Sequence, residues 1–434
     1  MRVIYIGLCF MILFTAHNSA QNLMTQIFKQ LGHHSLGQSC LSFRLFCFAL
    51  TTIVAPYFFK KITAKTGLIL GSTTYIIFFS GGALVTACAK YNSDAIICNV
   101  SFSYTFNIIT AGLSGIGACF LWLAQATYVN ACADEQSRGV FNGVFLSLFE
   151  TSQIFSGMIA TFLLGNSDAN TFYLTLVVIA GIAIAMFIFI QAPVQYSTEI
   201  VQNKSQGTLA ETLRDFVQII RDKRYYFLFM VIIFTGVATA FYFVFMGTAV
   251  TIILSNESLN VINQSTGFIF IVLSLGEISA GITIGRLADK YDKIKILSIS
   301  MYIYESALVM TLLACLFGSY QLAIISGLLW GYGETALGTM INVIIGSKFN
   351  SNPKIFSVYR FFYCLGGVLT TFCGVALQND SPFLFALVIA TVLLICQTMT
   401  YKYLKEENSQ KSSDYVKFVD EKQIMIEMKK LEKA

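Results

Sequence analysis

Four glutamates stand near the middle of apolar runs long enough to cross a bilayer: Glu150, Glu277, Glu305 and Glu334. A charge at mid-membrane costs about 2.5–3.5 kcal/mol on insertion scales, so such a residue usually faces a cavity or a partner. Each glutamate therefore reads either as a substrate or proton site or as a buried pair between helices. Glu150 and Glu334 fall in the fifth and tenth runs, which lie at or near the centre of a twelve-helix bundle, and both are substrate-binding candidates. Glu305 falls in the ninth run, a peripheral one, where pairing is the favoured reading. Arg44 and Arg360 lie nearer the ends of their runs. Arg360 suits an anchor for an inner gate or a phospholipid contact, with structural pairing favoured.

The first run carries Thr15, His17, Asn18, Ser19, Gln21 and Asn22 within eight positions. His17 with Gln21, and Asn18 with Asn22, are four apart and share a helical face. Six polar groups exceed what packing needs, since hydrogen bonds between membrane helices average only about 0.6 kcal/mol. Cavity lining is the favoured reading for His17, Asn18, Gln21 and Asn22. In the fourth run, Ala111, Gly112, Ser114, Gly115, Gly117 and Ala118 let helices approach closely, a structural role.

Hydrophobic residues make up 56% of the chain, charged residues 12%, and the mean hydropathy is +0.69, which a soluble core cannot accommodate. Twelve spans follow: 3–27, 40–59, 66–89, 101–129, 140–164, 171–191, 225–253, 264–285, 296–318, 320–347, 355–377 and 381–403. Of 28 Lys and Arg residues, 24 fall on one side of this arrangement, which makes both termini cytoplasmic. That asymmetry accounts for the net charge of +5, so no nucleic-acid partner is needed. Arg2, the apolar run after it and His17–Ala20 resemble a cleavable signal peptide. Apolar character resumes at Leu23 and Met24, which favours a retained span.

Eleven scattered cysteines without a CxxC pair argue against a metal site or a disulfide framework. Cys88 and Cys98 flank one outer loop and could pair, but free thiols are the favoured reading. With three His and no nucleophile–His pairing or phosphate-cradling loop, neither enzymatic catalysis nor a cofactor is expected. Sequons at Asn99, Asn256 and Asn263 fall on or beside outer loops and are glycosylation candidates, whereas Asn203 falls inside. Between the sixth and seventh spans, Leu209, Leu213, Phe216, Val217 and Ile220 form one helical stripe, as in an amphipathic helix at the cytoplasmic interface. The tail from Glu406 is charged and reads as mobile or weakly helical. Its Tyr415-Val-Lys-Phe418 fits a tyrosine sorting signal, a pattern common by chance.

The stretch Leu113–Gly157 has a weaker echo 216 positions downstream, where Gly331-Tyr-Gly-Glu334 leads through a polar loop towards Arg360. That offset is nearly half of 434 residues, as in duplicated membrane folds. Gly285-Arg286-Leu-Ala-Asp289-Lys-Tyr-Asp-Lys293 resembles the major facilitator loop G-x-L-[AS]-D-[RK]-x-G-[RK], with Asp292 in place of the second glycine. Phe59–Gly67 holds the equivalent place in the first half and lacks the acid. The resemblance implies an all-α integral membrane protein, a major facilitator-type bundle of 12 transmembrane helices in two six-helix halves. The halves are 1–191 and 225–404, with a cytoplasmic linker at 192–224 and a cytoplasmic tail at 405–434. Gly285, Arg286, Asp289 and Arg360 would form a gating or structural charge network.

Further motifs narrow the resemblance. Phe14-Thr-Ala-His-Asn-Ser-Ala-Gln-Asn-Leu23 with Leu31-Gly32 is similar to the first-helix signature of the Unc-ninety-three-like family. Leu121-Trp122-Leu-Ala-Gln125-Ala-Thr127-Tyr128 with Arg138-Gly139 is similar to its fourth-helix motif, and Gly331–Glu334 through Ile345-Gly346 to its tenth. Glu334 and Met340 stand where the pattern has Asp and Gln, and Ala126 where it has Gly. Some members of that family resemble potassium-channel regulatory subunits, others escort Toll-like receptors, and many are presumed transporters. Two functions follow as expectations. The main one is a secondary transporter taking a small polar solute on the span 1 groups, Gln125, and Glu150 or Glu334. The alternative is a non-transporting regulator or escort of another membrane protein, an ion channel or a receptor. Either acts in the lipid bilayer of a plasma membrane or endomembrane.

Overall fold

The structure is a computed structural model that describes residues 1–59, 62–91, 95–132, 138–191, 208–348, 353–377 and 381–431. Among them the ordered elements are helical. They are α1 (Arg2–Gln30), α2 (Leu36–Phe59), α3 (Ala64–Tyr91), α4 (Val100–Cys132), α5 (Arg138–Asn166) and α6 (Ala169–Ile188). After a short α7 (Leu209–Arg221) come α8 (Tyr226–Ile253), α9 (Leu259–Lys290), α10 (Lys293–Phe317), α11 (Tyr320–Lys348), α12 (Pro353–Leu377) and α13 (Pro382–Leu431).

Eleven of these helices are long and apolar enough to cross a membrane, so the chain is a multi-pass helical membrane protein. The expected tenth span, α11, has the length, at 29 residues, but lies outside that set of eleven. Its middle, Gly331-Tyr-Gly-Glu-Thr335, dilutes the apolar run. The N-terminal segment is one continuous helix of 29 residues. Of the two readings of the tail, the structure has the helical one: α13 continues to Leu431.

With most backbone groups bonded inside their own helices, side-chain packing decides the arrangement. Buried apolar side chains fall in two clusters. One gathers residues from Val3 to Ile190 with Cys364; the other gathers residues from Phe216 to Leu404. Two seams join the clusters, α5 against α9 and α2 against α12. The α5–α9 seam is a backbone crossing at paired glycines. A Cβ on Gly157 would lie 2.7 Å from the Gly267 carbonyl oxygen, and one on Gly267 would lie 3.1 Å from the Gly157 oxygen. The small residues of α4 serve the same purpose, Gly115 lying against the Arg44 backbone and Gly117 against Thr74. At the α1–α2 turn, Gly32 has φ +87°, a conformation side chains disfavour.

The free-thiol reading of Cys88 and Cys98 is overturned. A 3-10 turn at Ile96–Cys98 folds back on α3, brings the two Cα atoms to 5.4 Å, and the pair is a disulfide. The other nine cysteines are free.

A helix forms where the stripe lies, over Leu209–Arg221, and Thr208 starts it. The Thr208 hydroxyl accepts from the Glu211 N–H at 3.2 Å, while the Glu211 carboxylate accepts from the Thr208 N–H at 2.9 Å. Only part of the stripe turns inward. Phe216 is buried against α2 and α12, its ring edge-on to Phe361 at 5.4 Å, while Leu209, Leu213 and Val217 stay exposed.

The expected charge loop divides differently. Gly285, Arg286 and Asp289 lie in the last turns of α9, and their side chains are outside the described ones. Asp292, the departure from the loop pattern, caps α10. Its Oδ1 accepts from the N–H groups of Ile294 and Lys295 at 2.9 and 3.0 Å. Lys60 and Lys61 of the first-half loop, and Asn203, lie outside the described residues.

Candidate functional site

A cavity of about 170 Å³ lies between the two seams. Its charged lining comes from five helices: Arg44 on α2, Glu150 on α5, Glu277 on α9, Glu334 on α11 and Arg360 on α12. From α1 come Phe14, His17, Asn18 and Gln21. The volume is below the roughly 300–1,000 Å³ of drug-sized pockets, so the cavity suits a small solute.

The α1 polar run divides into two roles. Asn18 lines the cavity while its Nδ2 donates to Ser152 Oγ at 3.0 Å. Ser19 Oγ donates to the Thr15 carbonyl at 2.7 Å, and Asn22 Nδ2 donates to Gln153 Oε1 at 3.2 Å. Asn22 is therefore a helix-to-helix contact, outside the cavity lining. His17 is 3% exposed, and its ring meets Phe14 and Tyr75 edge-on at 5.3 and 5.2 Å. Its Nδ1 has no hydrogen-bond partner among the described residues. Gln125 is buried in α4 away from the cavity lining.

The acidic wall forms where α9 crosses α5. Ser274 Oγ donates to the Glu150 carbonyl at 3.0 Å and so holds the two backbones in register. Glu277, one turn further along α9, lines the same cavity as Glu150. Glu277 is 3% exposed, and its Oε2 has no hydrogen-bond partner among the described residues. Glu334 closes this wall near Thr239, whose hydroxyl shares a hydrogen bond with Tyr304 at 3.0 Å. Glu305 is outside the lining, in keeping with its peripheral helix.

Both arginines sit on the α2–α12 seam. Arg44 is 5% exposed; its Nε donates to Ser114 Oγ and its Nη2 to the Tyr75 hydroxyl, each at 3.2 Å. The Arg360 guanidinium lies over the Trp122 ring at 4.9 Å and the Tyr359 ring at 5.2 Å. Arg360 therefore lines the cavity. The ion pair of Lys90 with Asp168, at 2.9 Å, lies elsewhere. No described carboxylate comes within 4.0 Å of either guanidinium.

Of the candidates read from sequence, the structure brings together His17, Asn18, Gln21, Glu150, Glu334 and Arg360. It adds Arg44 and Glu277, both visible as membrane-embedded charges but not selected as site residues. Asn99 and Asn256 are exposed, as an acceptor must be. Asn263 is 6% exposed inside α9 and accepts from Gln26 Nε2 at 2.7 Å and Gln30 Nε2 at 3.2 Å. Its amide ties α1 to α9, so in this conformation it offers no glycan acceptor.

The sequence profile of the Major Facilitator Superfamily matches residues 6–371. UNC93-like protein MFSD11 of Xenopus laevis is 21% identical over 86% of this chain and 89% of its own length. Protein unc-93 homolog A of Homo sapiens is 21% identical over 85% of this chain and 86% of its own. UNC93-like protein 3 of Arabidopsis thaliana is 30% identical, over 37% of this chain and 32% of its own. Among solved structures, a mutant of the nucleoside transporter NupG superposes with a TM-score of 0.67 at 14% identity, covering 93% of this chain and all of that one.

Proposed function

From the premise that this chain belongs to the Major Facilitator Superfamily, among its UNC93-like members, we propose that it regulates or escorts another integral membrane protein. The observation that carries this reading is the alignment with UNC93-like proteins along 85–86% of the chain. The transporter-named neighbour is 14% identical and lends its fold alone. The bundle is also tied across both seams. Helix α7 grips α2 and α12 through Phe216, and the Asn263 amide joins α9 to α1 through Gln26 and Gln30. Such ties suit a scaffold that holds one shape for a partner.

The central cavity favours a second reading, secondary transport of a small polar solute by alternating access. Two six-helix halves, 1–191 and 225–404, would rock about the α5–α9 and α2–α12 seams. The linker 192–224, the tail 405–434 and both termini would be cytoplasmic, in a plasma membrane or an endomembrane. Glu150 and Glu334 would then bind solute or protons.

One pair of experiments separates the readings. Purification from native membranes in mild detergent should retain one integral membrane protein at fixed molar ratio, and proteoliposomes should accumulate no member of a broad solute panel. Uptake that Glu150→Gln abolishes, with the protein purifying alone, would reverse the order.

A further inference from the structure

The charges around the cavity are sorted by seam. Both guanidinium groups belong to the α2–α12 side, while Glu150 and Glu277 belong to the α5–α9 crossing and Glu334 to the adjoining α11. Charges buried in apolar surroundings ordinarily neutralise one another by direct pairing. Here none of the five makes a described ion pair of 4.0 Å or less. Arg360 rests on Trp122 and Tyr359, contacts that stabilise a cation but leave its in-plane N–H groups available to an anion, whereas Arg44 already gives Nε to Ser114 and one Nη2 bond to Tyr75 and offers an anion its charge and its remaining N–H groups. On the α9 side, Glu277 Oε2 is buried and has no hydrogen-bond partner among the described residues. A basic pole and an acidic pole thus face one small cavity with Phe14, Phe149 and Phe243 among its apolar lining.

We propose that this cavity binds a small zwitterion, with its anionic end on Arg44 and Arg360 and its ammonium end on Glu150, Glu277 and Glu334. A monoanion or a monocation would satisfy one pole and leave the other buried without a counter-charge. A neutral polyol would satisfy neither. The inference holds whether the bound solute is carried across the membrane or senses and sets the scaffold's conformation. A zwitterion that binds without being accumulated leaves it intact.

The test uses the full-length protein in lipid nanodiscs. The probes are glycine, 4-aminobutyrate and 6-aminohexanoate, a series of increasing charge separation, with hexylamine and hexanoate as singly charged controls. Trp122 lines the cavity, and the other tryptophan, Trp330, is buried outside the lining, so tryptophan fluorescence reports occupancy alongside the melting temperature. At least one zwitterion should raise the melting temperature and half-saturate the fluorescence change at a tenfold lower concentration than either control. Arg360→Gln should remove the preference over hexylamine, and Glu277→Gln the preference over hexanoate. If either variant fails to fold, the wild-type comparison decides alone. Equal responses to a zwitterion and a singly charged control, or no response to any zwitterion, would overturn the proposal.

Discussion

The Arg360 guanidinium lies 4.9 Å from the centre of the Trp122 ring, and this contact joins α12 to α4 across the cavity. Trp122 is itself wedged edge-on among Phe10, Phe14 and Phe149 at 5.2–5.6 Å. A desolvated cation–aromatic contact contributes about 2 kcal/mol, and losing the ring costs packing as well. Trp122→Leu should therefore lower the melting temperature clearly more than Trp122→Phe, which keeps an aromatic face. Detergent thermostability of the two variants checks this; equal losses would show that Arg360 draws nothing from the ring.

The glycine crossing of α5 and α9 leaves no room for a side chain. A branched side chain on Gly157 would meet the Gly267 carbonyl and Ile271, and overpacking of this kind costs about 1–3 kcal/mol. Gly157→Val should lower thermal stability, whereas Gly338→Ala, with no atom within 4 Å of its added Cβ, should not. Matched stabilities would mean the crossing is looser than described.

Asp168 supplies a pH test outside the spans. Its Oδ1 caps α6 by accepting from the Thr171 N–H at 2.8 Å, and its Oδ2 pairs with Lys90 at 2.9 Å. The Lys90 ammonium, and then that backbone N–H, hold the carboxyl below the usual range. A depressed carboxylate stabilises the fold above its unfolded-state pKa of about 3.9 and loses that contribution as pH falls through the lower folded-state value. Both partners are more than a third exposed, so the effect is modest and weakens with salt. The melting-temperature gap between wild type and Asp168→Asn should hold from neutral pH to about pH 4 and close below it. A gap that widens on acidification contradicts this.

Glycan attachment should follow exposure. Asn99→Gln or Asn256→Gln should reduce the glycosidase-sensitive mass shift, and Asn263→Gln should leave it unchanged, because the Asn263 side chain is bonded to α1. A shift lost with Asn263→Gln alone would mean that α9 begins later than Leu259.

Most of the fold was legible because the membrane makes apolar length an unambiguous signal. Glu150, Glu334 and His17 were legible for the complementary reason: polarity in such a run needs an explanation. Arg44 and Arg360 lie 316 positions apart, and only the packing of α2 against α12 shows that they share one wall. Glu277 was one of four similar glutamates until the α5–α9 crossing set it beside Glu150. Asn22 shares a helical face with Asn18, yet the neighbouring α5 claims its amide, which a one-helix pattern cannot foresee. Two local signals were available. Thr208 and Glu211 have the spacing of a capping box, and Cys88 and Cys98 flank a loop short enough to close.

The account stands or falls on whether the protein works through a partner. The decisive measurement is the composition of the complex purified from native membranes, quantified by mass spectrometry. The account predicts one other integral membrane protein at a fixed molar ratio, whose abundance or location changes when this chain is removed. A chain that purifies alone, and whose reconstitution drives solute accumulation lost with Glu150→Gln, would contradict it.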